Sequence, residues 1–182
     1  MAIYRRTGYV LTMKKLVIIL PLLGSLLGVW ALPVFAAEPV LIKTFKAWDA
    51  FTLGQGKSKV CYMATVPTKS RPKKVNHGAV YVTVAHKPRR QIRDEVNVVV
   101  GYDFQTKSSV RVSSSGASEK LFTTGREAWA YDSGMDGRLV AAMKRGTALA
   151  VSGTSARGTK TNYEFSLFGF SAAYEAISKA CK

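Results

Sequence analysis

The chain of 182 residues carries 27 Lys and Arg against 11 Asp and Glu, which gives a net charge of +16 at pH 7. Hydrophobic residues make up 47% of it, so the composition excludes an intrinsically disordered protein and supplies a core for one domain. A charge this positive favours polyanionic partners such as anionic lipid headgroups, cell-wall polymers, host glycans or nucleic acid.

The N-terminal segment has the pattern of an export signal. Lys14 and Lys15 follow Met13, an apolar run extends from Leu16 to Trp30, and Val34-Phe35-Ala36 resembles a signal-peptidase site. We therefore predict a signal peptide at residues 1–36, with Met13 as an alternative start. The other interpretation is an uncleaved anchor, because residues 16–37 carry no charge and are long enough to span a bilayer.

Cleavage would leave residues 37–182 as a single domain. It would remove four cations and no acid, so the net charge would fall from +16 to +12. Export argues against nucleic acid as the physiological partner, and it leaves envelope or host polyanions as the expected ones.

Cys61 and Cys181 are the two cysteines of the chain, and both lie in the predicted mature part. An exported protein meets an oxidising compartment, so a disulfide between them is the default expectation. Metal binding is the alternative, but it needs further ligands, and His77 and His86 lack metal-ligand spacing. We therefore predict no metal and no cofactor.

In chain order, the mature part shows mainly period-two alternation, which is typical of half-buried strands. Strands are predicted at residues 41–48, 59–66, 79–85, 95–102, 109–113, 121–123, 127–131, 148–152 and 161–167. A helix is predicted at residues 136–145 with Asp136 as N-cap, and a second from Ser171 to Cys181 with Ser171 as N-cap. Many short strands and few helices predict an antiparallel sandwich or barrel.

The last predicted helix has an apolar stripe at helical spacing. The stripe consists of Phe170, Ala173, Tyr174, Ile177 and Cys181. The thiol of Cys181 should therefore face the sheet, which suits a bridge to Cys61 better than a free reactive thiol.

No catalytic constellation is evident. Ser155 is flanked by glycines but departs from the Gly-x-Ser-x-Gly pattern, and it lies between two predicted strands, where a hairpin turn is the simpler interpretation. Asp94 and Glu95 are adjacent and should point to opposite faces of a strand. Asp132 and Asp136 suit a solvated turn and a helix cap.

Two basic segments flank the predicted strand at 79–85. The first holds Lys69, Arg71, Lys73 and Lys74, and the second holds Lys87, Arg89, Arg90 and Arg93. We predict that both bind an anion or a partner, although cation clusters of this kind also keep proteins soluble. Because they flank opposite ends of one strand, we expect them to mark two ends of the fold.

Aromatic side chains are spread along the predicted strands. They include Trp48, Tyr81, Tyr102, Trp129 and Tyr131. Such residues line carbohydrate platforms, but core packing on a sheet is the simpler interpretation.

The second half of the chain carries a series of short motifs. They are Ala128-Trp129, Leu139, residues 142–146, residues 151–159, Tyr163, residues 165–167, residues 169–173, Ile177 and Cys181. Together they resemble the invasion-associated locus B family of bacterial exported proteins. The resemblance to this family is weaker at Trp48, Cys61-Tyr62 and Gly101-Tyr102. The resemblance implies a β-sandwich, a disulfide between Cys61 and Cys181, and turns at Gly153, Gly158 and Gly169. It implies no enzymatic activity and supplies no functional residues.

We therefore expect an immunoglobulin-like antiparallel β-sandwich with two short helices, the last one C-terminal. The expected function is that of a non-enzymatic protein in the periplasm or on the cell surface of a Gram-negative bacterium, associated with invasion, adhesion or envelope interaction through its basic segments. A periplasmic assembly partner with an exposed sheet edge is the main alternative. An envelope hydrolase that uses Ser155 or a carboxylate is the third.

Overall fold

Between residues 37 and 182, the period-two pattern of the sequence becomes eleven strands in one sheet, and every strand pairing is antiparallel. The computed structural model describes residues 37–182. The strands are β1 (Val40–Phe45), β2 (Trp48–Leu53), β3 (Val60–Thr65), β4 (Lys69–Arg71), β5 (Tyr81–Lys87), β6 (Ile92–Val99), β7 (Ser109–Ser114), β8 (Ala117–Thr124), β9 (Glu127–Trp129), β10 (Ala148–Thr154) and β11 (Lys160–Ser166). The helices are α1 (Ser133–Arg145) and α2 (Phe170–Ala180). The predicted class, mainly antiparallel β with a C-terminal second helix, is confirmed.

The strand order is β1-β2-β3-β5-β6-β9-β8-β7-β10-β11-β4, so β1 and β4 are the two edges. The sheet curls, and a hydrogen bond between strands near its two edges shows this. Nε1 of Trp48 in β2 donates to the carbonyl of Ser166 in β11 at 3.0 Å. The amide of Ala47 adds a 3.2 Å bond to the carbonyl of Phe168. Strands near opposite edges thus meet. The immunoglobulin-like sandwich stays a prediction, since the strands form one continuous sheet.

The strands differ most from the sequence prediction at two places, and β6 and β8 also begin earlier than predicted, at Ile92 and Ala117. The stretch predicted as one strand at 41–48 is a hairpin of β1 and β2 that turns at Lys46, whose φ of 56° is left-handed. No glycine, proline or asparagine marks this turn, so the apolar alternation continues across it. The predicted loop at 69–74 begins as the short edge strand β4, which pairs with β11.

The core consists of alternate strand residues that point to one face of the sheet. Val82 and Val84 of β5 lie opposite Val98 and Val96 of β6, and all four have no exposed surface. Helix α1 contributes buried residues such as Leu139 to the same core. One core cluster therefore serves the whole described part of the chain.

Helix α1 begins three residues before its predicted start. Oδ1 of Asp132 accepts a 2.8 Å hydrogen bond from the amide of Met135, so Asp132 is the N-cap and the prediction of Asp136 as cap was wrong. Asp136 lies inside the first turn and is buried. Lys144 and Arg145 in the last turn complement the helix dipole, as the sequence suggested.

Helix α2 begins at Phe170, and its N-cap is Gly169, so the prediction of Ser171 as cap was wrong. Gly169 has a φ of 91°, and a Cβ at this position would collide with the carbonyl oxygen of Phe45. The turn into α2 therefore requires glycine. Gly153, in contrast, lies inside β10 and is not a turn residue.

A disulfide joins Cys61 of β3 to Cys181 at the end of α2, with the two Cα atoms 5.9 Å apart. This confirms the predicted pairing. The predicted stripe on α2 is buried at Phe170, Ala173 and Ile177, so the helix covers the core next to the bridge. The bridge spans a sequence separation of 120 residues and fixes α2 to the sheet.

The predicted signal peptide at residues 1–36 lies outside the described residues. Between residues 37 and 182, no helix combines the length and the apolar character that crossing a membrane would need.

Candidate functional site

Six cations from separate parts of the chain converge at one end of the sheet, which we call the basic end. They are Lys57, Lys59, Lys87, Arg89, Arg90 and Lys182. They line two hollows of about 310 and 430 Å³, and the two hollows share Lys59 and Arg89. The hollows therefore adjoin and form one positively charged depression.

The pairing of β3 with β5 explains this convergence. One 3₁₀ turn, Gly56–Ser58, lies before β3, and another, Pro88–Arg90, follows β5. Cys61 lies directly opposite His86 in the ladder, so the residues before β3 meet those after β5. The disulfide then brings the C-terminal Lys182 to the same place.

Two of the predicted binding residues in this region are engaged by the fold. The ammonium of Lys87 pairs with the carboxylate of Glu95 across the β5–β6 ladder. Nη2 of Arg93 donates a 3.2 Å hydrogen bond to Oγ of Ser178 in α2. The exposed cations of the Pro88–Arg90 turn are left to face solvent.

His86 lies beneath the basic end and is 2% exposed. Its Nδ1 accepts a 3.2 Å hydrogen bond from the amide of Asp94, and its Nε2 lies 3.0 Å from Oγ of Ser178. Burial lowers the pKa of His86, and the nearby charge of Arg93 lowers it further. A neutral His86 that donates from Nε2 satisfies both contacts and links β5, β6 and α2.

The other basic segment lies at the opposite end of β5. Lys69 and Arg71 belong to the edge strand β4, and Nζ of Lys69 lies 2.8 Å from Oε1 of Glu164 on β11. Lys73 and Lys74 are exposed in the loop that follows. The structure thus separates the eight predicted anion-binding residues into two groups, as the flanking positions suggested.

A chain of hydrogen bonds anchors the loop beside this second group. Oη of Tyr163 lies 2.8 Å from Nδ1 of His77 and 3.0 Å from Oη of Tyr102, which lies 2.6 Å from Oγ1 of Thr161. Nε2 of His77 donates at 2.9 Å to the carbonyl of Pro72. Burial raises the pKa of Tyr163, and the hydrogen bond with Tyr102 raises it further, so the phenol stays protonated.

The cleft above this chain brings Ser155 and His77 together, in a volume of about 480 Å³. Both ring nitrogens of His77 have partners, so neither is free to take a proton from a serine in this conformation. Oγ of Ser155 accepts a 3.2 Å hydrogen bond from the amide of Thr159, which closes the β10–β11 turn. The arrangement matches the hairpin turn predicted from the sequence.

Asp136, which was expected to cap the helix, is buried in the first turn of α1 instead. It is 8% exposed, and its Oδ1 accepts a 2.9 Å hydrogen bond from the amide of Val96. Burial raises the pKa of Asp136 to about 6 against the lowering effect of this bond, and the charge of Glu95 adds to the rise. Asp94 and Glu95 do point to different partners, Tyr174 and Lys87.

The predicted aromatic residues separate into core and surface positions. Trp48 is fully buried and meets Phe170 edge to face with ring centroids 5.0 Å apart. Tyr131 is 65% exposed, and Trp129, two residues earlier, is half-buried. Core packing, the simpler interpretation, therefore fails for these last two residues.

Lys57, Lys59 and Lys182 were missed as site residues because neither the Lys57–Lys59 pair nor Lys182 forms a run of cations like those at 69–74 and 87–93. The signal that could have found them is the combination of the Cys61–Cys181 bridge with a β3–β5 pairing. Among residues 37–182, no group of His, Cys, Asp and Glu is arranged to hold a metal ion.

A family model described as invasion associated locus B (IalB) protein matches residues 48–178. The match covers the sheet from β2 onward, both basic segments and most of α2. No curated protein and no solved structure matches the chain.

Proposed function

The chain belongs to the invasion associated locus B family, and we propose that it is an exported, non-enzymatic protein that binds a polyanion of the bacterial envelope or of a host surface through its basic end. Family membership supports an exported, invasion-associated bacterial protein. The disulfide supports the same compartment, since such bridges persist in oxidising environments. The predicted signal segment agrees with it.

One observation carries the binding proposal: among residues 37–182, five of the six cations of the basic end have no acidic partner. Within residues 37–182, ion pairs engage the cations Lys69, Lys87, Arg126 and Arg138. The remaining cations of the basic end, Lys57, Lys59, Arg89, Arg90 and Lys182, form none. Clustered positive charge without local compensation attracts polyanions and speeds their association.

The shape of the basic end supports a ligand with several charges. Cations from three chain segments surround two adjoining hollows, so anionic groups spaced along a polymer can occupy them together. The buried contacts of His86 and the disulfide hold the surrounding backbone before any ligand arrives, which lowers the entropic cost of binding.

Binding of inorganic polyphosphate at increasing salt tests the proposal. The double variant Lys57→Glu, Arg89→Glu should bind at least about tenfold more weakly at low salt, because each reversal removes an attraction and adds a repulsion. The matched control is Lys73→Glu, Lys74→Glu, which makes the same change in net charge at the other end of β5. Equal weakening by both variants would show that binding follows net charge and not the basic end.

Protease treatment of intact and of permeabilised cells, followed by immunoblot, tests the compartment. Digestion on intact cells would support a surface protein that meets a host polyanion. Digestion only after permeabilisation would support a periplasmic protein whose ligand is part of the envelope.

A second candidate, an assembly partner, is favoured by the edge strand β1. Its residues Val40, Leu41 and Ile42 are 63%, 52% and 40% exposed, and one side of its backbone pairs with no strand of the described part of the chain. An apolar edge of this kind accepts an added strand from another protein. A partner that co-purifies at high salt from wild type but not from Ile42→Lys would support this candidate, because salt weakens the charge contacts of the basic end.

A further inference from the structure

A third hollow of about 660 Å³ continues the basic end towards α1. It shares Lys87 and Arg90 with the neighbouring hollow of the basic end. The three hollows therefore adjoin in a row from Lys182 past the Pro88–Arg90 turn to the beginning of α1, and we call this row the groove. Three adjoining hollows suit a chain of repeating units better than a compact anion.

The third hollow differs from the other two because aromatic rings form its far wall. Phe122 of β8 and Trp129 of β9 are directly opposed in the sheet, and both line the hollow. Tyr131 does not itself line the hollow, but it lies between the lining residues Ala130 and Asp132 and packs against Phe122 with ring centroids 5.3 Å apart. Tyr131 is 65% exposed and Phe122 is 36% exposed. Exposed flat rings beside polar groups offer a stacking surface for a ligand with an apolar face.

Three carboxylates, Glu95, Asp132 and Asp136, line the third hollow together with the cations Lys87, Arg90 and Arg93. Asp136 is nearly buried there, with Oδ1 held by the amide of Val96, and its other carboxylate oxygen makes no hydrogen bond to a described residue. Asp132, the N-cap of α1, also lines this hollow. Carboxylate oxygens accept hydrogen bonds from hydroxyl donors and repel anionic groups. Because these carboxylates offset the cations of the same lining, the third hollow suits a neutral, hydroxyl-bearing unit better than a bare phosphate.

We propose that the groove binds an acidic polysaccharide, whose anionic groups lie on the basic end and whose sugar rings stack on Phe122 and Tyr131. The inference rests on the proposed polyanion binding, and it identifies the chemical class of the ligand. Sugar hydroxyls donate to Asp132 and Asp136, and the apolar faces of the rings cover the aromatic wall. A polymer of phosphates alone satisfies the cations but leaves the third hollow unused.

The test compares three probes: heparin as a sulfated host-type polysaccharide, alginate as a polyuronate of the bacterial type, and inorganic polyphosphate as a polyanion without sugar rings. The double variant Phe122→Ala, Tyr131→Ala should bind one or both polysaccharides about tenfold more weakly. Its affinity for polyphosphate should change less than about twofold. Tyr131→Ala alone keeps the test valid if the double variant folds poorly, because this ring is mostly exposed.

Phe168→Ala is the matched control, since Phe168 is 66% exposed and lines none of the three hollows. It should leave all three affinities unchanged. A loss for heparin alone points to a host glycan, and a loss for alginate alone points to an envelope polysaccharide. Equal losses for all three probes, or no loss for either polysaccharide, overturn the inference while polyanion binding stands. Failure of the wild type to bind any probe overturns the proposed function itself.

Discussion

The basic segments at 69–74 and 87–93 have similar compositions, but the fold gives them different surroundings. The second segment meets Lys57, Lys59 and Lys182 in the basic end and borders all three hollows of the groove. The first segment lines none of these hollows, and its Lys69 is paired with Glu164 on an edge of the sheet. Charge content alone therefore does not identify which segment forms a site.

The two segments also differ in how their backbones are held. The segment at 87–93 sits over buried His86, next to the disulfide and in contact with α2. The loop after β4 is held by hydrogen bonds from His77 and Tyr163, and its cations are exposed. We expect the first arrangement to present its cations in a more fixed geometry, and the following predictions test that difference.

Removal of the disulfide should have the largest effect. The double variant Cys61→Ala, Cys181→Ala should lose about 3–5 kcal/mol of unfolding free energy, because the bridge restricts a long loop of the unfolded chain. Guanidinium denaturation measures the loss, and reduced wild type is the control. Amide exchange should accelerate at residues 57–59 and 88–90 more than at 72–78. Equal acceleration in both regions would contradict the anchoring difference.

The buried carboxyl of Asp136, which lies close to the segment at 87–93, should make the unfolding free energy depend on pH. Its folded pKa of about 6 lies above the usual value. The contribution of this carboxyl to the unfolding free energy is therefore fully present below about pH 4 and is lost as pH rises through 6. Asp136→Asn keeps an oxygen for the amide of Val96 and should be about 1–2 kcal/mol more stable than wild type at pH 8. The gain should vanish near pH 4.

Urea unfolding across this pH range measures the effect of Asp136→Asn. The matched control is Asp103→Asn, since the Asp103 side chain is 64% exposed in its ion pair with Arg126. A gain for Asp136→Asn that stays constant with pH would show that titration of this carboxyl is not its cause.

Loosening of the loop beside the first segment should be smaller. Tyr163→Phe removes the hydroxyl that lies between His77 and Tyr102, which should cost about 1 kcal/mol. Amide exchange should rise at residues 72–78 and stay unchanged at 88–90. Tyr131→Phe, at an exposed ring outside this chain, should change neither region. Faster exchange at 88–90 in Tyr163→Phe would show that the two ends are coupled.

The smallest effects should come from the two lysine ion pairs. The Lys87–Glu95 side chains are 24% and 19% exposed, against 65% and 44% for Lys69–Glu164. Lys87→Ala should cost less than about 1 kcal/mol and Lys69→Ala less than about 0.5 kcal/mol, because water screens the more exposed pair more strongly. Thermal unfolding in parallel measures both. A larger cost for Lys69→Ala would reverse the comparison of the two segments.

Local patterns in the sequence determined most of the secondary structure. Alternation identified the strands at β3, β5, β7, β10 and β11, and helical spacing identified the buried stripe of α2. Cysteine count and export predicted the bridge. These properties depend on neighbours in the chain, so periodicity and composition contain them.

The turn at Lys46 and the caps at Asp132 and Gly169 were missed for a physical reason. Lys46 adopts a left-handed φ without being a typical turn residue. Gly169 is required by its approach to Phe45, which is a contact across the fold. Asp132 and Asp136 are both plausible caps by composition, and only packing against β6 shows which one is buried.

The sequence by itself determined the mainly antiparallel β class, the Cys61–Cys181 pairing and the surplus of cations. Only the tertiary structure decided which cations meet, because Lys57, Arg89 and Lys182 come from distant segments. The physical reason is that charges and aromatic rings on a surface carry no periodic signal, whereas burial does. Their positions follow from the strand register and the bridge, which place the ends of β3, β5 and α2 together.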